Sequence, residues 1–275
     1  MNAAVSFYAR QSAWTDPGAQ AVHLAALPGD VAGLCRLVQG LLVHIDWLGC
    51  YGLPAGFAVE RETRRVEQRL GLGIPAAARP LTEARPPAQR SSGTCRDYAL
   101  MLCGLLRHRG MPARVRCGFA SYFSKPHEDH WVCEYWHGAS RRWALADAQL
   151  DDVLHSRLGI DFDITDLPPG KFINAGQAWL ACREGGAAPQ LFGHGESAGL
   201  WFLRVNVVRD LLSLVEQQTS VWDDWRASMP ASKVLDAATL AVCDRIARET
   251  SGVVGPPTGL DDVIAGLARP PWRTA

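Results

Sequence analysis

Residues 91–119 read SSGTCRDYALMLCGLLRHRGMPARVRCGF, and the interpretation of the whole chain turns on them. After Ser91-Ser92-Gly93-Thr94, which has the composition of a turn, Tyr98, Met101, Leu102, Leu105 and Leu106 recur at helical intervals and form one apolar face. Gly110 and Pro112 stop that helix. The period then drops to two. Val115, Cys117 and Phe119 alternate with Arg114, Arg116 and Gly118, the pattern of a strand with one buried face. Cys95 therefore stands in the first turn of a helix, where unpaired backbone N–H groups and the positive end of the helix dipole favour a thiolate.

Such a thiol needs a base, and the base needs an orienting acceptor. Downstream, DHWVCEYW (129–136) and RRWALADAQL (141–150) are strand candidates separated by HGAS. With Gly138-Ala139 as a two-residue type II′ loop, His137 pairs with Ser140, and the same register sets His130 opposite Asp147 on one face. A slip of one residue would send the two side chains to opposite faces. Cys95, His130 and Asp147 then form a nucleophile, base and orienter. The segment HEDH is one residue short of H-E-x-x-H, and its two histidines, His127 and His130, fall on opposite faces of a strand, so no metal site is expected there. Asp97, in the first helical turn, reads as structural, Cys103 as core rather than a resolving thiol, and Trp136 as core.

Upstream, a helix is expected over residues 29–50, capped by Asp30 and carrying Leu34, Leu37, Val38, Leu41 and Leu42. A second, highly charged helical stretch covers 57–73, and the proline-rich segment 74–94 reads as a loop leading to Cys95. Downstream of the strands, 171–186 and 199–218 are helical, WDDW at 222–225 reads as a helix start or loop anchor, and 251–275, ending near Trp272, reads as loosely packed. The order gives an α+β plan: one domain over 1–275, with a catalytic core at about 90–152 and helical flanks on both sides.

Lys plus Arg equals Asp plus Glu at 28 each in 275 residues, so overall charge points to neither a nucleic-acid nor a membrane-surface partner. With 48% apolar residues the chain can fill a core. No leader-like or membrane-spanning run is apparent, and a cytoplasmic protein is expected. The eight cysteines form no C-x-x-C pair and read as reduced, mostly buried thiols, Cys95 apart. No nucleotide loop, calcium-loop spacing or cofactor motif is present.

The ordered set of a cysteine at a helix start in GTCRDYALMLCGLLRHRGMPARV, a histidine in DHWVCEY and an aspartate in RRWALADAQLD resembles the transglutaminase-like superfamily of papain-type folds, over roughly residues 90–152. The resemblance implies a helix bearing the nucleophilic cysteine packed on an antiparallel sheet, with Cys95 as nucleophile, His130 as base and Asp147 as its orienter. It implies a cysteine-dependent acyl transfer or amide hydrolysis through a thioester, on a small-molecule or peptide amide or ester, with water or an amine as acceptor. The backbone N–H of Cys95 is the expected oxyanion donor, with Gln89 or a tryptophan as weaker partners. The competing reading is a non-catalytic binding or scaffold protein that keeps the fold.

Overall fold

The computed structural model describes residues 3–57, 63–73, 79–221, 223 and 233–267. The architecture is α+β, as expected, and the chain divides into two compact units. The first comprises residues 1–115 and 131–168, and the second 116–130 and 169–275.

The first unit begins with the short helix α1 (Ala3–Ser6). Helix α2 (Val31–Leu41) starts as expected, the Asp30 carboxylate accepting the Gly33 N–H at 2.6 Å. It ends nine residues earlier than the periodicity suggests. Leu42 turns extended, and β1 (Leu42–His44) pairs in parallel with β2 (Ser91–Gly93), Leu42 against Ser91 and His44 against Gly93, before a 3-10 segment over Ile45–Tyr51. The Ser-Ser-Gly segment is thus a strand, not a turn. Between β1 and β2 lies α3 (Val66–Gly73); residues 58–62 of the expected charged helix are outside the described residues.

Helix α4 (Cys95–His108) follows β2 directly, and its Cys103 thiol meets Cys133 in the buried interior. Strand β3 (Ala113–Ala120) is buried along its whole length, where one wet face was expected. The reason is that its arginines are paired inside the protein. In the first unit, Arg114 donates to Glu134 at 2.6 Å and lies 4.1 Å from the Trp143 ring centroid and 5.1 Å from that of Tyr8.

Strands β4 (His127–His137) and β5 (Arg142–Ala146) form the expected antiparallel hairpin, but in another register. His137 faces Arg142, Tyr135 faces Ala144 and Cys133 faces Ala146, so the loop has four residues, 138–141. The His137 ring closes it: Nδ1 lies 2.6 Å from Ser140 Oγ and accepts the Ser140 N–H at 3.3 Å, while Arg141 takes a φ of 53°. The register differs by two residues. That even shift preserves which residues share a face, but the ladder ends at Cys133 and Ala146, and the expected direct pairing of His130 with Asp147 is not formed. Trp136 is half-buried against Trp143 across the hairpin, ring centroids 5.6 Å apart, rather than in the core. The short helix α5 (Asp152–Leu158) completes the unit, capped by Asp151.

The second unit takes the end of β3, the start of β4 and the chain beyond residue 168. Strand β6 (Phe172–Asn174) pairs antiparallel with β3, and β7 (Phe192–His194) pairs in parallel with β4 and antiparallel with β8 (Ser197–Ala198). The sheet is therefore mixed, not purely antiparallel. Helix α6 (Ala175–Arg183) opens on an Asn174/Gln177 capping box, and α7 (Leu200–Leu214) and α8 (Ala237–Thr250) complete the helical layer. Phe119, Trp179, Phe192, Leu203, Leu211 and Ile246 fill its core. Leu260, just before the last described helix α9 (Asp261–Gly266), and Val263 within it join that core, so the segment is packed as far as described; Trp272 lies outside the described residues. Of WDDW only Asp223 is described, accepting the Ser220 N–H at 2.6 Å. Among the described residues no helix is long and apolar enough to cross a membrane.

Candidate active site

Cys95 is the first residue of α4, half-buried, and the turn around it is tightly held. Thr94 and Asp97 form a reciprocal capping box, the Thr94 N–H donating to Asp97 Oδ2 at 2.8 Å. The Thr-x-x-Asp spacing carried this signal in the sequence, and only its acid was read. Asp97 is structural, as expected. Its carboxylate is flanked by two buried guanidiniums, Arg69 and Arg96, each 3.3 Å away. Arg69 also donates to the Ser92 carbonyl at 2.6 Å, tying α3 and β2 to the start of α4. Gly93 packs closely on the same group, since a Cβ there would stand 3.2 Å from Asp97 Oδ2 and the Asp97 side chain would have to shift. The thiol position is thus set by a buried polar cluster whose one carboxylate meets two cations.

Asp147 lies just past β5 in the same unit and is buried. Its Oδ1 accepts the Gln149 N–H at 2.9 Å, and its own N–H donates to the Ile164 carbonyl at 2.8 Å, so backbone on two sides holds it. Burial pushes the neighbouring Cys35 thiol up, and the Asp147 charge pushes it the same way.

His130 belongs to the second unit and is also buried. Its ring centroid lies 4.9 Å from that of Phe123 and 5.9 Å from that of Tyr122, both edge-on. His127, three residues earlier, stacks on Phe192 at 4.3 Å. Its neighbour Glu128 bonds Ser124 and His194 instead. His194 is the last residue of β7, in the segment GHGES (193–197). Gln89 lies in an exposed 3-10 turn, and the buried Trp131 indole N–H has no acceptor among the described residues.

Burial pushes Cys133 well up, Cys243 to about 12 and half-buried Cys182 to about 11, while Cys50 is exposed.

The transglutaminase-like superfamily model matches residues 69–148, which contain Cys95, His130 and Asp147. No curated protein matches the chain. A solved structure from Cytophaga hutchinsonii, provisionally named a cysteine protease, is similar at 15% identity and a TM-score of 0.38, covering 54% of this chain. This chain spans 43% of that protein's length. Residues 69–148, from α3 through α4 to just past β5, are the part of the chain that is similar to the transglutaminase-like superfamily.

Proposed function

We propose that this chain is a cysteine-dependent acyl-transfer or amide-hydrolysing enzyme in which Cys95 is the nucleophile, His130 the base and Asp147 the residue that orients it. The observation that carries the reading is the half-buried thiol at the first position of a rigidly capped, 14-residue helix within the superfamily match. The helix terminus favours the thiolate. His130 takes the thiol proton, and Cys95 Sγ forms a bond to the acyl carbon while the carbonyl electrons move onto oxygen, received by the Cys95 backbone N–H. Collapse breaks the bond to the amine or alcohol, which leaves with the His130 proton and creates a thioester. Water or a second amine, deprotonated by His130, then breaks the C–S bond and restores the thiolate. The balanced overall charge suits an intracellular small-molecule or peptide substrate.

The test is a screen of amides, esters and amines with mass detection of an acyl group on Cys95. Cys95→Ala abolishes turnover, and Asp147→Asn retains some, with a loss of about 10²-fold or more. Turnover by Cys95→Ala at the wild-type rate would overturn Cys95 as the nucleophile and place the activity at another site.

A further inference from the structure

We infer that Phe123, backed by Tyr122, is a positioning residue for His130, and that the loop carrying the two rings is anchored at both ends to keep it so. The inference rests on the catalytic reading above. The segment 121–126 runs from the end of β3 to the start of β4, and within five residues of its closing strand stands the imidazole. At its start, the Ser121 N–H donates to the Lys171 carbonyl at 3.0 Å and its hydroxyl to the Gly170 carbonyl at 2.9 Å. At its far end, the Ser124 hydroxyl donates to Glu128 Oε2 at 3.2 Å, and Glu128 Oε1 lies 2.8 Å from His194 Nδ1. Burial pushes the Glu128 carboxyl up, but the hydrogen bonds from His194 and Ser124 outweigh it and hold the group below its ordinary range. Glu128 is thus a standing anion between the loop and the end of β7.

Between these anchors Tyr122 and Phe123 pack on each other, centroids 4.8 Å apart, and both meet the His130 ring edge-on. Edge-on contact with aromatic rings restricts rotation about the histidine side-chain bonds without supplying a competing hydrogen bond to either ring nitrogen. A base needs that restriction, because a displaced imidazole cannot take the thiol proton efficiently. Of the neighbouring charged groups of this unit, Glu128 faces His194, and Asp129 lies 3.7 Å from Arg209 and also interacts electrostatically with His194 and His130. Phe123 is the ring nearer His130, and its half-exposed position makes it the one that can be altered with least damage to the core.

The experiment is the pH profile of Cys95 carbamidomethylation by iodoacetamide, read by peptide mass mapping in the full chain for wild type, Phe123→Leu, Phe123→Tyr and His130→Ala. Phe123→Leu should slow labelling near pH 6 by about 10-fold and move the profile toward that of His130→Ala, while Phe123→Tyr restores it. A wild-type profile for Phe123→Leu beside a slow His130→Ala overturns the positioning role and leaves the catalytic pair standing. A wild-type profile for His130→Ala overturns the pair, and the positioning role with it. Should Phe123→Leu fail to fold, Glu128→Ala, which releases the Ser124 anchor, must shift the profile in the same direction. A wild-type profile there also overturns the inference.

Discussion

Arg114 and Arg116 are two residues apart on β3, yet they belong to different units and are held by different physics. In the first unit Arg114 lies against the faces of Trp143 and Tyr8, and its carboxylate partner, Glu134, comes from 20 residues away and keeps contact with solvent. In the second unit Arg116 uses two nitrogens on the two oxygens of Asp210, at 2.9 and 2.7 Å, and donates also to the Thr250 carbonyl. Asp210 is wholly buried on α7, 94 residues away, and takes the Cys117 N–H as well. The first arginine is a packed aromatic contact with a partly solvated counter-ion; the second is a dry ion pair that joins β3, α7 and α8. A charge in the first environment keeps two aromatic faces when its partner is lost, and one in the second loses both oxygens of a wholly buried carboxylate.

Four measurements would break or sharpen that contrast. Asp210→Ala strands a buried guanidinium and should cost about 3–5 kcal/mol in urea unfolding, the largest stability loss expected here. Glu134→Ala, with two aromatic faces left to Arg114, should cost about 1–2 kcal/mol, and equal losses at the two sites would erase the distinction. Asp97→Ala removes the cap of α4 and should cost about 1–2 kcal/mol while slowing Cys95 alkylation, because the helix start that favours the thiolate then frays. The smallest effect concerns acid. The folded state holds the Glu128 carboxyl below its ordinary value, so its contribution is complete above the unfolded value and is lost as pH falls through the folded one. Glu128→Gln should therefore flatten the fall in stability between about pH 5 and about pH 3, and an unchanged slope would show that His194 does not hold the anion.

The thiol chemistry divides in the same way. Cys133 and Cys243, one in each unit, have thiols raised by burial, whereas Cys95 sits at a helix start. Near pH 6 Cys95 should be labelled first, and preferential labelling of either buried thiol would count against a helix-terminal thiolate.

What the sequence determined by itself was set by interactions a few residues long. The Asp30 cap, the start of α4 at Cys95 and its stop at Gly110, the strand period from Ala113 and the helices beyond residue 171 all follow from capping, glycine and proline geometry and apolar spacing. The tertiary structure decided what depends on partners far along the chain. Leu42–His44 left the helix because β2 was there to pair with it, and the β4–β5 register moved by two residues because the His137 ring and Arg141 close a four-residue loop. Arg114 and Arg116 looked like a solvated face because alternation reports polarity, not whether Glu134 or Asp210 is waiting on the other side. The rings of Tyr122 and Phe123 on His130 left no periodic mark at all, since an irregular loop is placed by its anchors, at Gly170, Lys171 and His194, and those are distant in sequence.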